Sequence, residues 1–419
     1  MTGRAISTLR PRSRGFAYGL VAAAAILPRL VVLLHERGTI TAAYVDKGDV
    51  FARTLIAHGT YGFIPGRPSA YTQPLYGWFL VPLYWIFTRS WVVVGLAQIA
   101  VATATAILVY EIGRRWISPL AGLLAALAAT LHPYLVWHDV HMNREILDEL
   151  LAAAIVLLTL LVLDRRSPPL ALALGAVLGL AILGNVRLVL LPLVVAAFLL
   201  ATRRPAVVLV VLLACAVVVT PWVVRNRVSV GCTTLTTDGR ALWKANNPNT
   251  LRTLEHGKWI DDVPPIPGTP PTPQDAGAIY AETGRIVPTN ECAQMRYYRH
   301  LAVRWMEHHP GEKAKLAGQA VRMEWDPRTT ASATDSGRGF VRTWAQPLYM
   351  SFVYALGLLG LLVVRRSFAV LALLVLAYQT LAAVVFVGAT RYRVSTDFLI
   401  ALLAAAALEW VLARRRAFR

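Results

Sequence analysis

The sequence contains few cysteines and few acidic residues for its length. Among 419 residues there are three cysteines, and 23 aspartates and glutamates stand against 42 lysines and arginines. Three cysteines are too few for a disulfide scaffold. Cys232 and Cys292 fall in one predicted exterior loop, where an oxidising environment would permit a disulfide, but two unpaired thiols fit the sequence equally well.

Motifs of several common protein classes are absent as well. No stretch has the spacing of a Walker phosphate-binding loop, a dinucleotide-binding fingerprint, a nucleophile elbow or a zinc-protease helix. The excess of positive charge occurs mostly as short arginine pairs, without a basic helix or a zinc finger. Nucleic acid is therefore disfavoured as a partner.

Long apolar runs recur from one end of the chain to the other. Hydrophobic residues make up 56% of the sequence, which is typical of a polytopic membrane protein. Because a helix needs about 20 apolar residues to cross a bilayer, the sequence predicts an all-α transmembrane bundle of about ten helices. The predicted spans lie near residues 17–34, 91–110, 119–137, 146–163, 170–183, 188–201, 206–224, 346–364, 368–387 and 398–412.

Arginine pairs between the apolar runs indicate how the chain is oriented. By the positive-inside rule the pairs face the cytoplasm, which places both termini inside. The first apolar run is interpreted as a retained helix, since no small-residue cleavage site follows Leu34. The pairs are Arg114-Arg115, Arg165-Arg166, Arg203-Arg204 and Arg365-Arg366.

The alternation of apolar and polar segments predicts three regions. Residues 1–224 form an N-terminal transmembrane module with catalytic outer loops, residues 225–345 an extracytoplasmic loop subdomain, and residues 346–419 the C-terminal transmembrane helices. Within the subdomain, the apolar spacing predicts amphipathic helices between Cys292 and Trp325, broken at His309-Pro310. The stretch 69–76, with a proline and aromatic residues, is predicted to be a loop along the membrane interface.

Acidic residues occur where two apolar runs meet the predicted outer surface. Asp46 and Asp49 follow the first span, and Glu145 begins the fourth. Both positions lie outside, so the carboxylates are expected to converge on an outward-facing cavity, where one of them would take a proton from a hydroxyl group. Glu145 also has a structural explanation, because an acid favours a helix N-terminus and Asn143 is a suitable cap.

Two arginines break the positive-inside pattern. Arg391 and Arg393 fall between the last two spans, on the predicted outer side. Such residues indicate an anionic ligand such as a lipid phosphate, although contact with ordinary lipid headgroups explains them too. Other cationic residues predicted at or near the outer surface are Arg29, Arg144, Arg187, Arg225, Arg227 and Lys244.

Two further groups of polar residues have weaker signals. Asp139 and His141 would help to bind a divalent cation, or would be hydrogen-bonded loop residues. The stretch 239–248 contains an aromatic ring, a cation and two amides, which commonly hold sugars and headgroups. A turn with an interfacial tryptophan anchor explains that stretch equally well.

Taken in order, these segments resemble the GT-C superfamily of polyprenyl-phosphate-sugar glycosyltransferases. The resemblance is to glycosyltransferase family 39, the branch of protein O-mannosyltransferases and the aminoarabinose transferase of lipid A, and it extends over nearly the whole chain. It rests on the acidic motif after the first span and the glutamate that opens the fourth. The other matching stretches are Gly59-Thr-Tyr61, Pro74-Leu-Tyr76, Pro221-Trp222 with Arg225-Asn226, Leu242 to Pro248, and Arg391-Tyr-Arg393.

The resemblance implies a role for each group of residues. The family's acid after the first span is the catalytic base, which corresponds to Asp46, with Asp49 as the alternative. Glu145 corresponds to a second acid, but Arg144 stands where the family commonly has serine or threonine. Asp397 stands where related chains often have proline. The predicted donor phosphate-binding residues are Arg225, Lys244, Arg391, Tyr392 and Arg393, and the predicted substrate-binding residues are Tyr76, Arg144, Trp243, Asn246 and Asn247.

The expected function is transfer of a sugar, with inversion, from a polyprenyl-phosphate donor to a hydroxyl of a cell-envelope glycan, lipid or protein. The reaction would take place at the outer face of the plasma membrane. No cofactor is required, although Asp139 and His141 remain candidates for a divalent metal cation. The alternatives are a transporter or flippase of a lipid-linked sugar, and an inactive scaffold.

Overall fold

The computed structural model describes residues 14–42, 46–165, 167–202, 205–328 and 341–417. This part of the chain is helical, with one isolated bridge between Ile64 and Arg67. Arg166, Arg203 and Arg204 of the predicted cytoplasmic pairs lie outside the described residues. The α-helices are α1 Arg14–Glu36, α2 Thr39–Ala42, α3 Lys47–His58, α4 Pro74–Phe87, α5 Trp91–Trp116, α6 Pro119–Thr130, α7 Pro133–His138, α8 Glu145–Arg165, α9 Pro168–Gly184, α10 Leu191–Ala201, α11 Pro205–Ser229, α12 Gly239–Ala245, α13 Thr250–Glu255, α14 Pro273–Thr283, α15 Glu291–His308, α16 Pro310–Trp325, α17 Gln346–Gly360, α18 Arg366–Val385 and α19 Thr390–Ala417.

The bundle is that of a multi-pass membrane protein, as predicted. Within the described residues, six helices are long and apolar enough to cross a membrane, namely α1, α5, α8, α11, α18 and α19. The shorter apolar helices are α4, α6, α9 and α10, the last preceded by a 3-10 turn at Val186–Leu188. The predicted span 119–137 is divided into α6 and α7, because a helix seldom continues into a residue that precedes a proline and His132 precedes Pro133.

Two sequence predictions about outer segments are wrong. The stretch 69–76 is not wholly a loop, because α4 begins at Pro74, where proline suits the first helical turn, and continues as an apolar helix. Arg391 and Arg393 do not lie in a loop between the last two spans but in the first turn of α19. The predicted break at His309-Pro310 is confirmed, since α15 ends at His308 and α16 begins at Pro310.

Small residues allow the helices of the bundle to approach closely. A Cβ atom on Gly175 of α9 would lie 2.3 Å from the backbone oxygen of Val211 in α11, and one on Gly113 of α5 would lie 2.5 Å from Cα of Gly122 in α6. Neither position has room for a side chain. In a membrane, where lipid is as apolar as the helices, such close backbone contact is a main source of helix association.

Helices α12 to α16 lie outside the transmembrane bundle and are fastened to it; we call this group of helices the outer subdomain because of its position relative to the bundle. A disulfide joins Cys292 at the start of α15 to Cys232, just beyond α11. Lys47 of α3 donates to Asp238 at 2.8 Å. At the end of α18, the backbone oxygens of Val384 and Val385 accept hydrogen bonds from Lys313 and Asn246, which satisfies groups that a helix C-terminus leaves open.

An ion pair is buried among the helices of the N-terminal half. Arg29 of α1 is 1% exposed and its Nη2 lies 2.6 Å from Oδ2 of Asp139, which follows α7. The same guanidinium donates to the backbone oxygens of Ala25 and Thr130. The partners of the Arg29 guanidinium in these contacts are all groups of the protein itself.

Replacing Asp139 by Asn should lower the midpoint of thermal denaturation in detergent, because it leaves the Arg29 cation buried without its counter-ion, a loss of about 3–5 kcal/mol. The double replacement Arg29→Met with Asp139→Leu should recover much of the loss, since both charges are then removed. Equal midpoints for the wild type and the Asp139→Asn variant would contradict the structural role of this pair.

Candidate active site

Two helix starts from opposite ends of the chain meet at one point. Arg391, in the first turn of α19, donates from Nη2 to Oε1 of Glu145 at 2.8 Å and from Nε at 3.1 Å, across 246 residues of sequence. Glu145 is the first residue of α8 and its side chain is 2% exposed. Arg144 approaches the same carboxylate, with Nε 3.8 Å from Oε1. Two predicted site residues are thus joined directly.

Asp46 lies beside this pair. It caps the N-terminus of α3, where its Oδ1 accepts a hydrogen bond from the backbone N–H of Gly48 at 2.7 Å. Gly48 has no room for a side chain, because a Cβ there would lie 3.0 Å from the backbone nitrogen of Gly77 in α4. Burial raises the pKa of Asp46, while Arg144 lowers it and Glu145 raises it further. Asp46, Arg144 and Glu145 are therefore close enough to interact electrostatically.

Tyr392 extends the site towards α9 and α10. The guanidinium carbon of Arg187 lies 4.0 Å from the centre of its ring, and that of Arg391 lies 5.3 Å from it. Arg187 donates from Nη2 to the backbone oxygen of Val387, but its Nε has no hydrogen-bond partner among the described residues. Oε2 of Glu145 likewise has none within the described part of the chain. Buried polar atoms in this state point to a polar ligand or to water.

Asp49, the alternative acid, has different surroundings. It is fully buried, and its carboxylate lies 2.8 Å from Nε of Arg89 and 3.1 Å from Nε of Arg53. It also accepts a hydrogen bond from the hydroxyl of Tyr84 at 2.7 Å. These contacts tie α3 to the segment after α4, so the structure gives Asp49 a structural role and leaves Asp46 as the candidate base.

Arg393 is also structural, although it lies only two residues from Arg391. It is fully buried, with Nε 3.1 Å from both carboxylate oxygens of Asp397, and it donates to the backbone oxygens of Glu324 and Asp326. The guanidinium thereby joins the start of α19 to the end of α16. Its Nη2 has no hydrogen-bond partner among the described residues, and the expected phosphate contact of Arg393 stays a prediction.

Two other cations of the predicted phosphate site face protein groups. Arg225 donates to the backbone oxygens of Ser69 and Tyr61, at 2.8 and 3.0 Å, and so shapes the segment before α4. Lys244 donates to the exposed Asp261 at 2.7 Å. Of the predicted phosphate-binding residues, Arg391 and Tyr392 are the ones that the structure brings to Glu145.

Several predicted substrate contacts are internal hydrogen bonds. Tyr76 is 2% exposed and its hydroxyl donates to Oε1 of Gln98. Asn246 and Asn247 are buried, and their amides bind backbone groups around the end of α12. Arg144 remains at the site, where it donates to Gln73 at 2.7 Å. Trp243 is half-buried, and its role stays a prediction.

Asp139 and His141, the predicted metal ligands, are each engaged by protein groups. Oδ2 of Asp139 is bound by Arg29, and Nδ1 of His141 faces the backbone oxygen of Trp137 at 2.8 Å. Among the residues that the structure describes, no group of three or more histidine, cysteine, aspartate or glutamate side chains is arranged to hold a metal ion. A divalent cation bound by Asp139 and His141 therefore stays a prediction.

Replacing Asp49 by Asn should lower the thermal midpoint in detergent, because two arginines lose their counter-ion and Tyr84 loses a charged acceptor, a cost of about 1–3 kcal/mol. Glu282→Gln is the matched control, since this carboxylate is exposed on α14. If the Asp49 and Glu282 variants were equally stable, Asp49 would not hold α3 in place.

Comparisons with known proteins place the fold. Residues 67–224 match the family model described as dolichyl-phosphate-mannose-protein mannosyltransferase. No curated protein sequence matches the chain. The fold is similar to that of the archaeal oligosaccharyltransferase AglB from Archaeoglobus fulgidus, solved with an inhibitory peptide and a dolichol-phosphate. The identity is 13%, the match covers 98% of this chain and 52% of that one, and the TM-score is 0.57.

Two further solved structures are similar. The oligosaccharyltransferase of Archaeoglobus fulgidus in its apo form is 14% identical, with 97% of this chain and 52% of that chain covered and a TM-score of 0.56. ArnT from Cupriavidus metallidurans, bound to undecaprenyl phosphate, is 16% identical over 94% of this chain and 78% of that chain, with a TM-score of 0.45. The chain spans about half the length of the archaeal oligosaccharyltransferase chains.

Both comparisons agree with the predicted resemblance: residues 67–224 match the family model described as dolichyl-phosphate-mannose-protein mannosyltransferase, and the fold is similar to that of the archaeal oligosaccharyltransferase AglB.

Proposed function

We propose that this protein transfers a sugar from a polyprenyl-phosphate donor to a hydroxyl group of a cell-envelope glycan, lipid or protein. The observation that carries this proposal is the contact between Arg391 and Glu145 beside Asp46. It puts a carboxylate able to accept a proton next to cations able to hold a phosphate.

In the proposed reaction, Asp46 takes the proton of the acceptor hydroxyl as its oxygen attacks the anomeric carbon of the sugar. The bond from that carbon to the phosphate oxygen breaks on the opposite face, so the product has inverted configuration. The electron pair leaves with the polyprenyl phosphate, and the proton stays on Asp46. Arg391, with Arg187 and its unpartnered Nε, would stabilise the departing phosphate. These steps require no cofactor.

Glu145 has an orienting role in this proposal. Its Oε1 holds Arg391, and the adjacent Arg144 approaches the same oxygen. A fixed guanidinium needs little reorganisation when negative charge develops on the phosphate, which is how prearranged charges lower an activation barrier. The contribution of Glu145 to phosphate binding is therefore exerted through Arg391.

The disulfide supports an active site on the outer face of the plasma membrane. Cys232 and Cys292 are paired in the outer subdomain, and disulfides persist outside the reducing cytoplasm. The neighbouring Glu291 accepts a hydrogen bond from the backbone of Ala70, in the segment that leads to α4. The subdomain and the Asp46 region then lie on one side, with the arginine-flanked termini in the cytoplasm.

The similar proteins also support the proposed classes of donor and acceptor. AglB was solved with a dolichol-phosphate and a peptide, which supports a lipid-linked donor and a separate acceptor for a protein of this fold. The match to a dolichyl-phosphate-mannose-dependent family over residues 67–224 supports the same donor class. The membrane-embedded helices would admit the prenyl chain from the lipid phase.

Replacing Asp46 by Asn should abolish transfer from polyprenyl-phosphate mannose to a hydroxyl acceptor, a loss of about 10²–10⁴-fold, because the general base is removed. The asparagine still caps α3, so the thermal midpoint should stay near that of the wild type. Transfer is measured in detergent micelles, where no second compartment exists and a flippase would show no activity.

Glu282→Gln serves as the control for this experiment, because it removes an exposed carboxylate from the outer subdomain. Full activity of the Asp46→Asn protein would refute the role of Asp46. A wild-type protein that moves the donor across liposome membranes but transfers nothing in micelles would establish the transporter alternative.

As the pH is lowered, the transfer rate should begin to fall at a pH above the usual pKa of an aspartate. Asp46 acts only as the carboxylate, and burial raises its pKa above the ordinary 3.8. Below that raised pKa the base is protonated and kcat/KM declines. Arg144→Met should move the decline to still higher pH, because Arg144 lowers the pKa of Asp46. The measurement is kcat/KM for transfer against pH, and an unchanged profile in the variant would contradict the assignment.

A further inference from the structure

A large aromatic side chain of the outer subdomain lies near the active site without being part of any predicted motif. The ring centre of Trp259 is 6.4 Å from that of Tyr392, and the two rings are inclined by 39°. Both side chains are half-buried. Trp259 therefore approaches the same residue that Arg187 and Arg391 contact.

The turn that carries Trp259 is firmly held. Ile260 and Val263, which follow it, are buried at 9% and 4% exposure. The backbone N–H of Trp259 donates to the carboxylate of Asp262 at 2.8 Å, and Asp261 accepts a hydrogen bond from Lys244 at 2.7 Å. Anchors on the turn fix the position of the ring, so its partial exposure is a feature of the fold and not of a loose loop.

Charged groups lie around the Tyr392 ring. Arg187 is 4.0 Å from the centre of the Tyr392 ring and Arg391 is 5.3 Å from it, while Arg391 is paired with Glu145. The site therefore combines two partly exposed aromatic rings with positively and negatively charged groups that can form hydrogen bonds. Such a combination suits a ligand with apolar faces and polar edges.

A pyranose ring has that chemistry, since its C–H groups form apolar faces and its hydroxyls lie at the edge. We propose that Trp259 is a substrate-binding residue, which together with Tyr392 forms an aromatic platform for a sugar ring beside Arg391 and Glu145. The outer subdomain thereby takes part in the choice of sugar. This inference rests on the proposed glycosyltransferase function and adds a binding residue to it.

The sugar ring has two sources, the donor and a glycan acceptor, and steady-state kinetics separate them. Replacing Trp259 by Ala should raise one KM by about three- to tenfold, the usual worth of an aromatic contact, with kcat changed less. A rise in the KM of polyprenyl-phosphate mannose assigns the platform to the donor sugar, and a rise in the KM of an oligosaccharide acceptor assigns it to the acceptor.

Trp259→Phe should recover most of the affinity. Tyr297→Ala, which removes a half-exposed ring from α15, is the matched control and should match the wild type.

A binding measurement tests the proposal independently of turnover. The thermal midpoints of the wild type and the Trp259→Ala variant are measured with polyprenyl phosphate, with polyprenyl-phosphate mannose and with the oligosaccharide. At one ligand concentration, a ligand that binds more tightly raises the midpoint further. The variant should keep the shift caused by polyprenyl phosphate and lose part of the shift caused by one of the two sugars.

Three results would overturn the inference: unchanged KM values and sugar-dependent shifts in the variant, a fall in kcat alone, or an equal loss of the shift caused by polyprenyl phosphate without sugar. The last result would mean that Trp259 supports the site only generally. Failure of the proposed function is distinguishable, because a wild-type protein that transfers no sugar still reports the sugar-dependent shift and its change in the variant.

Discussion

The ion pair between Glu145 and Arg391 joins the two parts of the chain on which the site depends. Glu145 opens α8 and Arg391 lies in the first turn of α19, while Asp46 caps α3 nearby. Three helices thus begin around one place, where their unpaired backbone N–H groups create a positive potential. An acid is favourable at such a position and an arginine is not. The carboxylate of Glu145 offsets the unfavourable electrostatic energy of Arg391 at a helix N-terminus. The positive potential that remains at the three helix starts suits a phosphate.

The pair would not form without the contacts that fix the start of α19. Glu324, at the end of α16, accepts hydrogen bonds from the backbone N–H of Ala389 and from Gln379. Burial raises the pKa of Glu324 to about 7. The approach is so close that a Cβ on Gly388 would lie 1.9 Å from the backbone oxygen of Ala320. The outer subdomain therefore helps to position Arg391 and Tyr392 of the candidate active site.

The sequence predicts the helices well because membrane burial imposes a strong apolar pattern. Predicted runs such as 91–110 and 206–224 lie within α5 and α11. Arg391 could be found for the same reason, since a cation on the wrong side of a membrane protein stands out against the pattern. The pattern does not distinguish Arg391 from Arg393, because both were expected in a loop. Residues two positions apart on a helix point to different sides, so Arg391 contacts Glu145 and Arg393 contacts Asp397.

Other assignments depend on contacts between distant segments, which a single sequence does not contain. Asp49 is distinguished from Asp46 by its ion pair with Arg89, which lies 40 residues from Asp49 along the chain. The amides of Asn246 and Asn247 suited a headgroup site, but they bind backbone oxygens at the end of the short helix α12, and Asn246 also donates to Val385 at the end of α18. Trp259 belongs to no motif and follows a glycine and a lysine in an irregular segment, so only the fold brings it to Tyr392.

The difference between a structural charge and a reactive one explains which candidates remain. Asp49, Asp139 and Arg393 are each bound by fixed protein partners, and a change of protonation or partner there would leave an opposite charge buried alone. Asp46 accepts one backbone hydrogen bond in a half-buried position, so it can gain and lose a proton at little cost to the fold. A buried atom without a hydrogen-bond partner among the described residues occurs in Arg187 and equally in Asp139 and Arg393, so the fixed ion pairs of the latter two are what distinguish them. Chemistry needs groups whose interactions can change during a reaction, and in this fold those groups gather where α3, α8 and α19 begin.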